Sequence, residues 1–507
     1  MRTSMRARLA AAGAAVRMRR AAAAVAVLGT ALGGWAQSMP AAADADLAPL
    51  GRAVVPYDVN GDGFGDVVVS DAFATVSGKE WAGVLRVAFG SSVGLTGAVQ
   101  VLTRDSPGIK GGRAGSQFGQ GVISADFDAD GYADVAGQAY GDIQVVYGGP
   151  SGLTSRDQVF SMEKRVPGFS LGGPVLASGD FDDDGFADLV VSSPGSEDIK
   201  GALVVLRGSA RGLTARGLLR LSRDTPGVSG RGFFDDFFGA GVAVGDVTGD
   251  GIDDLALTSQ EDPGNGSLYV FAGSTRGLQI AGHTYLLSDA VFGQWKLSVD
   301  NSTALTVADL DRDGYGDLVV GSPDTCPLPQ NLDGCGALGV LPGSANGPAR
   351  TGAYTWDQDT PGVPGHTQST DMLGFTIAAG DLDGDGYVDL AVGAPRMRIG
   401  RVRDAGAVVV AYGGPRGLDF DRSQLWSQGT PKIKGVPFRE DFFGAGGLRI
   451  TDLGRGTRPE LLILTSEDRE RAGGKALPAQ SAHILFSGRR GVTTIDQRWS
   501  SSPSDGS

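Results

Sequence analysis

The chain has 507 residues, of which 82 are glycine, 24 are proline and 41% are hydrophobic, and its formal net charge is −14. This length exceeds what a single compact core usually serves, so it predicts several domains or a repeat architecture, and the abundant glycine favours short strands joined by tight turns. The acidic charge argues against nucleic acid as a partner, and collagen is excluded because the glycines do not recur at every third position.

Residues 1–43 are predicted to be a signal peptide. Six arginines precede an apolar run at 21–35, and Ala41-Ala42-Ala43 suits cleavage. The apolar run is short for a membrane span. Cleavage after Ala43 would remove six arginines and no acidic residue, which takes the formal charge from −14 to −20. We therefore expect a secreted, extracellular protein with no membrane span after cleavage. The cleavage position and the export route, Sec or Tat, stay open.

A nine-residue acidic loop recurs through the rest of the chain, residues 44–507. Six copies follow the pattern Asp-x-Asp-x-Asp-Gly-x-x-Asp, with a change at position 3 in two of them, and they start at residues 58, 126, 180, 246, 309 and 381. A seventh segment, from Asp452 to Glu460, holds the corresponding place but has glycine at positions 3 and 5. The seven starting points are separated by 54 to 72 residues, which is enough for four short strands each.

Apolar runs that are typical of strands flank these loops, as at 189–194 and 406–414. Together they predict an all-β fold, a seven-bladed β-propeller of four-stranded blades, in which the acidic loop joins the innermost strand to the second. The first blade is expected to begin with an innermost strand near Leu50, and the last to end with an outermost strand at 493–499. How the ring closes stays open at this point.

The combined motifs resemble the FG-GAP repeat of integrin α-subunit propellers. The segment Phe238-Gly-Ala-Gly precedes an acidic loop, and Leu390-Ala-Val-Gly-Ala-Pro follows another. The resemblance covers essentially the whole chain after residue 43, and it rests on the combination, since EF-hands, dockerins and thrombospondin repeats share the acidic spacing alone. It implies cell adhesion or protein recognition as the function.

The acidic loops are candidate calcium sites, because calcium takes six to eight oxygen ligands and alternate residues of a curled loop point inward. Positions 1, 3, 5 and 9 would supply side-chain oxygens and position 7 its carbonyl, while glycine at position 6 permits the turn. The predicted ligands are Asp58, Asn60, Asp62, Phe64 and Asp66; Asp126, Asp128, Asp130, Tyr132 and Asp134; Asp180, Asp182, Asp184, Phe186 and Asp188; Asp246, Thr248, Asp250, Ile252 and Asp254; Asp309, Asp311, Asp313, Tyr315 and Asp317; and Asp381, Asp383, Asp385, Tyr387 and Asp389.

About six Ca²⁺ sites are therefore expected, the fourth weaker because Thr248 offers only a hydroxyl, and none in the seventh loop. The alternative is that aspartate and glycine merely mark polar turns. However, close carboxylates repel one another by up to about 4 kcal/mol per pair at surface-like dielectric, which a turn does not require. We expect calcium to stabilise the hairpins, and the side chain at position 7 to pack between neighbouring sheets.

No catalytic constellation stands out. The three histidines fall in different repeats, and the two Gly-x-Ser-x-Gly segments precede no helical pattern. A non-catalytic recognition module is the favoured interpretation, with a lectin-like carbohydrate-binding protein or a carbohydrate-active enzyme as the alternative. Whether the chain has a catalytic activity stays open.

Ligand binding is expected at the end of the propeller opposite the acidic loops, where connections vary most in length. Trp81, Phe233 and Arg398 are the candidate contacts for an extracellular protein or glycan. We further expect a monomer, and a disulfide between Cys326 and Cys335, the only two cysteines.

Overall fold

The computed structural model describes residues 57–500, apart from 112–113, 172–174, 197–199, 231, 261–264, 294–296, 300–302, 327–333, 455–457 and 473–474; at 466–481 and 499–500 it describes only the backbone. The predicted signal peptide and the strand expected near Leu50 lie outside these residues. The described residues form seven antiparallel sheets arranged as a β-propeller, which confirms the predicted fold class.

Consecutive strands are hydrogen-bonded neighbours in every sheet. The first sheet contains β1 (Val67–Asp71), β2 (Val84–Ala88) and β3 (Val99–Leu102), and the second contains β4 (Gln120–Ala125), β5 (Asp134–Ala139), β6 (Asp142–Val146) and β7 (Asp157–Ser161). The third contains β8 (Val175–Gly179), β9 (Asp188–Ser193), β10 (Ala202–Arg207) and β11 (Thr214–Leu221), and the fourth β12 (Val242–Gly245), β13 (Asp254–Ser259), β14 (Ser267–Phe271) and β15 (Thr284–Leu287).

The fifth sheet contains β16 (Ala304–Ala308), β17 (Asp317–Ser322), β18 (Ala337–Leu341) and β19 (Tyr354–Trp356), and the sixth β20 (Thr376–Gly380), β21 (Asp389–Ala394), β22 (Ala407–Tyr412) and β23 (Asp419–Trp426). The seventh contains β24 (Gly447–Thr451), β25 (Glu460–Ala472), β26 (Lys475–Gly488) and β27 (Gly491–Ser500). Two short helices, α1 (Met162–Arg165) and α2 (Ser288–Phe292), follow β7 and β15.

Hydrophobic packing lies between the blades, because the middle strands of a propeller are covered on both faces. Every residue of β9 and of β21 is buried, whereas the outermost β11 is mostly half-buried or exposed. Continuous apolar runs in the second and third strands are what this environment requires. Among the described residues, seven apolar clusters form, each drawn from two neighbouring blades.

The Phe-Gly segments explain how successive blades are joined. Phe238 is fully buried, and its N–H donates to the carbonyl of Lys200 at 2.9 Å, just before the third strand of the preceding blade. A side chain at Gly201 would place its Cβ only 2.3 Å from the nitrogen of Phe238, so only glycine permits this approach. Phe118 and Phe443 make the same contact with Gly83 and Gly406.

The ring closes between the seventh blade and the first. Apolar residues of β1 and β2, including Val67 and Val69, pack against Leu462 and Ile484 of the seventh blade. The N–H of Gly65 donates to the carbonyl of Asp452 at 2.7 Å. All four strands of the seventh blade come from the C-terminal part of the chain, and β27 covers the outermost strand expected at 493–499. Repeats and blades are therefore in register in the part of the chain that the structure describes.

Candidate metal centre

In the second to sixth blades the acidic loops lie where the sequence predicts, between the first and second strands, and the loop at 58–66 precedes β1. In blades two to six, the aspartate at position 9 is the first residue of the second strand. The antiparallel order places all of these loops, and the hairpins between third and fourth strands, at one end of the propeller. The connections between second and third strands, and between blades, lie at the other end.

The sixth loop shows how the chain folds around its first aspartate. The carboxylate of Asp381 accepts the N–H groups of Gly384, Asp385 and Gly386 at 2.7 to 3.1 Å, which curls the loop. The glycine at position 6 has a positive φ in all six loops, as the predicted turn requires, and in Gly386 it is 89°. The carboxylate of Asp385 accepts the N–H of Tyr387 at 3.0 Å.

Carboxylates converge in four of the loops. Three oxygens from different residues lie within 4.8 Å of one another in each cluster, namely Asp126, Asp128 and Asp134; Asp180, Asp182 and Asp184; Asp309, Asp311 and Asp313; and Asp381, Asp383 and Asp385. In the first loop Asn60 stands at position 3 and its amide donates to Asp62 at 3.1 Å. In the fourth, the N–H of Thr248 donates to Asp254 at 2.9 Å.

The position 9 carboxylate has a second role that the sequence analysis missed. Both oxygens of Asp389 accept backbone N–H groups at 2.8 Å, one from Leu382 in its own loop and one from Gly413 after the third strand. The equivalent pair of hydrogen bonds forms at Asp134, from Phe127 and Gly148. This buried carboxylate therefore joins three segments of one blade, and each oxygen keeps a lone pair for a cation.

Burial raises the pKa of all six position 9 carboxyls. The pKa reaches about 8 in Asp134 and Asp389, about 7 in Asp66, Asp188 and Asp317, and about 6 in Asp254, with desolvation as the largest cause. Neighbouring carboxylates of the same loop raise it further in each case. A bound cation would act in the opposite direction, because a nearby positive charge favours the ionised form.

Three clusters also contact an arginine that the local motif does not reveal. Arg156 pairs with Asp128, Arg207 with Asp182, and Arg422 with Asp383. In the fifth loop, no basic side chain among the described residues pairs with the three clustered carboxylates, and burial together with Asp313 raises the pKa of Asp311. Arg207 lies at the end of β10, Arg422 lies in β23 and Arg156 immediately precedes β7, so the arginines are 25 to 39 residues away in sequence.

The side chain at position 7 does not pack between the sheets, so this prediction is wrong. Tyr387 and Tyr315 are half-buried, and each lies against the neighbouring loop: the guanidinium of Arg312 stands 5.5 Å from the Tyr387 ring centroid, and Tyr315 contacts Gly249. Position 7 lies at the rim, beyond the strand ends. The residue at position 2 fills the core instead, as in Leu382, which is fully buried.

The predicted ligand contacts lie in three different connections at the opposite end. Trp81 is 56% exposed in the loop after β1 and meets Phe73 edge to face at 6.1 Å. Phe233 is 49% exposed in the connection between the third and fourth blades, and Arg398 is exposed after β21. The predicted disulfide between Cys326 and Cys335 is present. No helix that the structure describes has the length and apolar character to span a bilayer.

Four segments of the chain, residues 172–206, 238–271, 301–325 and 373–410, match the FG-GAP repeat family. The chain is 28% identical over 252 residues to integrin α-PS2 of Drosophila melanogaster, covering 47% of this chain and 16% of that protein. It is 26% identical over 298 residues to integrin α-5 of Xenopus laevis, covering 56% of this chain and 24% of that protein.

A second kind of relative is phosphatidylinositol-glycan-specific phospholipase D of Rattus norvegicus, with 31% identity over 158 residues, covering 29% of this chain and 19% of that protein. The chain thus spans less than a quarter of the length of each of these curated relatives. The matched FG-GAP segments fall on the third to sixth blades.

Proposed function

Since the chain carries FG-GAP repeats on a seven-bladed propeller and is related in sequence to integrin α subunits, we propose that it is a secreted calcium-binding recognition module. Calcium would stabilise the hairpins at one end of the ring, and an extracellular protein or glycan would bind at the other. The observation that carries the calcium part is the convergence of three carboxylates within 4.8 Å in four separate loops.

The fifth loop fits a calcium ion best. Asp309, Asp311 and Asp313 present oxygens without an arginine partner among the described residues, and Asp317 closes the loop from the start of β17. Carboxylates and a backbone carbonyl are the ligands that this hard cation prefers. Bound there, calcium would neutralise the repulsion between the carboxylates and link the loop to the second strand.

The second, third and sixth loops can bind calcium only if the paired arginine moves away from the carboxylates. Arg422 contacts Asp383 and lies 3.5 Å from Asp385, so its guanidinium neutralises part of the charge that calcium would otherwise meet. The side chain of Arg422 is 37% exposed and has room to move into solvent. We therefore expect two groups of sites, with weaker apparent affinity in the second, third and sixth loops.

The test is thermal unfolding of the chain lacking residues 1–43, in EDTA and across a calcium titration, with bound calcium counted by equilibrium dialysis. One site at one hundred times its Kd adds about 2.7 kcal/mol to the free energy of unfolding, so the melting temperature should rise with calcium. Magnesium, which prefers small octahedral sites, is the control cation. A melting temperature that is equal in EDTA and in excess calcium would contradict the proposal.

Exposed aromatic side chains support recognition at the opposite end. Large aromatic residues are enriched at protein interfaces, and Phe73, Trp81 and Phe233 are all at least 39% exposed. The experiment is capture of extracellular proteins and a glycan array by the wild type and by the triple variant Trp81→Ala, Phe233→Ala, Arg398→Ala. We expect the variant to lose binding and to keep its calcium-dependent melting temperature. Undiminished binding would rule out this surface.

The Cys326–Cys335 disulfide supports export, because disulfides persist in oxidising compartments. We expect the full chain to be found in the culture medium with residues 1–43 removed, and a chain that starts at residue 44 to stay inside the cell. Retention of both inside the cell would contradict secretion.

A further inference from the structure

A second repeated pattern lies in the connections between blades. An arginine or glutamine is followed seven residues later by a glycine and twelve or thirteen residues later by a buried acceptor side chain. The four sets are Arg104, Gly111 and Ser116; Arg223, Gly230 and Asp236; Gln358, Gly365 and Asp371; and Gln428, Gly435 and Asp441.

These sets occupy equivalent positions in the fold. A Cβ built on each glycine would meet the arginine or glutamine side chain of its own set at 2.1 to 3.3 Å. The four arginine or glutamine residues are at most 7% exposed, and the four acceptors at most 2%. The same place in each connection therefore holds a buried polar side chain packed against a glycine, with a buried acceptor twelve or thirteen residues further along the chain.

In two of the sets the arginine or glutamine side chain reaches the buried aspartate of its own set. Arg223 approaches Asp236 with Nη1 3.1 Å from Oδ1, and both side chains are almost fully buried. The amide of Gln428, oriented to suit its neighbours, donates to Asp441 at 2.9 Å and to the carbonyl of Val436 at 3.2 Å. A buried carboxylate is stabilised only when such partners are present.

The set between the fifth and sixth blades differs. The Gln358 amide faces the sulfur of Met397 at 3.8 Å, a weak acceptor, and its oxygen has no hydrogen-bond partner. Asp371 is 2% exposed, and its Oδ2 also has no partner. Burial raises the pKa of Asp371 to about 7, against the lowering effects of a backbone hydrogen bond from Gln368 and of the charge of Arg398.

A groove of about 430 Å³ lies directly over this set. Gln358, Gly365, His366, Asp371, Met397 and Arg398 are among its lining residues. Asp371, whose Oδ2 has no hydrogen-bond partner in the described part of the chain, and Gln358, whose amide nitrogen faces only the sulfur of Met397 there, both line this groove. A ligand in the groove therefore lies beside Asp371.

We propose that this groove binds the guanidinium group of a small ligand, with Asp371 as its buried anionic partner. The internal precedent is Arg223, whose guanidinium occupies the equivalent place beside Asp236. Gln358 is shorter and uncharged, and Arg398, although it lines the groove, forms no ion pair with Asp371 among the described residues, so the carboxylate stays available to a guanidinium from outside. A planar guanidinium is a better partner than an ammonium ion, because its fork of donors matches a carboxylate.

The experiment is calorimetric titration of the chain lacking residues 1–43 with agmatine, L-arginine, a blocked arginine peptide and citrulline. We expect agmatine and L-arginine to bind and citrulline, which is neutral, to give no signal. Asp371→Asn should weaken agmatine binding at least about tenfold, because hydrogen bonds to charged groups contribute more than neutral ones. Binding of the blocked peptide but not of the free compounds would overturn the small-ligand proposal.

A second variant separates binding from folding. Gln358→Arg supplies an internal guanidinium, so it should abolish agmatine binding and raise the melting temperature. Arg104→Gln changes the equivalent place of the connection between the first and second blades, whose acceptor Ser116 is uncharged, and should leave agmatine binding within about twofold of wild type, since distant sites are usually independent. Loss of binding in both variants or in neither, or no binding of agmatine to the wild type at millimolar concentration, would overturn the proposal.

Discussion

The sixth and seventh acidic loops have the same place in neighbouring blades, but only the sixth keeps the converging carboxylates. In the sixth, Asp381, Asp383 and Asp385 cluster. In the seventh, glycine replaces the aspartates at positions 3 and 5. Even so, Glu460 at position 9 accepts the N–H of Leu453 at 2.8 Å, as Asp389 accepts that of Leu382.

The contact with the neighbouring loop is also retained. Arg458, at position 7 of the seventh loop, donates from Nε to the carbonyl of Asp383 at 2.6 Å, where other loops place an aromatic ring against their neighbour. The carbonyl of Asp452 still accepts an N–H from the first loop. The comparison separates two groups of residues. Position 9 and the contacts between loops hold the ring together, whereas positions 1, 3 and 5 offer the ligands for a cation.

The largest expected effect comes from position 9, whose buried carboxylate both loops keep. Asp389→Asn and Glu460→Gln each place an amide N–H₂ where a buried acceptor is needed, and an unsatisfied buried backbone donor costs about 1–3 kcal/mol. Urea unfolding in EDTA should show a loss of this size in both variants. The exposed Asp385→Asn is the control in the sixth loop. If Glu460→Gln were as stable as the wild type, the position 9 carboxylate would have no structural role in the seventh loop.

Next in size is the calcium-dependent part of the stability. Asp311→Asn removes a carboxylate from the cluster that has no arginine partner among the described residues, so it should lower the calcium-induced rise in melting temperature by about 1–2 °C, since about 1 kcal/mol corresponds to roughly 1 °C in a domain of this size. In EDTA the variant should be as stable as the wild type or slightly more stable, because one repulsion is removed. Differential scanning calorimetry in both conditions is the measurement.

The matched control for that prediction is Asp452→Asn, at position 1 of the seventh loop. Its carboxylate accepts the N–H of Gly454 at 2.8 Å, and the loop lacks the ligands at positions 3 and 5. Its calcium-dependent rise should equal that of the wild type. Equal losses in Asp311→Asn and Asp452→Asn would show that the response depends on overall charge.

A smaller effect is expected from the arginine in the sixth loop. Arg422→Met removes the partner of Asp383 and Asp385, so apparent calcium affinity should rise by up to about fivefold, whereas stability in EDTA should fall by less than about 1 kcal/mol because the pair is partly exposed. Arg416→Met, in the exposed turn before β23, makes the same change in net charge and is the control. Equal calcium binding isotherms for the two variants would contradict a specific role of Arg422.

The sequence predicted the fold and the position of the acidic loops because both follow from local patterns that recur. Aspartate spacing and the apolar run of β21 are visible within a dozen residues. Closure of the ring was not predictable in this way, since it depends on which surfaces of the first and seventh blades meet. The contact between Gly65 and Asp452 joins residues at opposite ends of the described chain.

The arginine partners and the buried sets between blades were missed for a related reason. Arg422 reaches the sixth loop from 39 residues away, and nothing in the acidic motif specifies it. Aligning the repeats outside the acidic loops would have found the other pattern, because Gly230 and Gly365 stand seven residues after Arg223 and Gln358. The change between arginine and glutamine hides this spacing from a search for identical residues.

The smallest expected effect concerns the fourth loop, which lacks the carboxylate at position 3 and so has fewer acidic ligands than the sixth loop and more than the seventh. Thr248→Asp supplies the missing carboxylate at position 3, so calcium affinity at this site should rise by about twofold to threefold, in the direction that added ligand charge acts in such loops. In EDTA the new charge faces Asp254, whose Oδ2 already accepts the N–H of residue 248, and should cost up to about 1 kcal/mol. Thr248→Asn, which copies Asn60 of the first loop, adds an oxygen without charge and should fall between the wild type and Thr248→Asp. Identical calcium titrations for all three proteins would show that position 3 does not contribute a ligand in this loop.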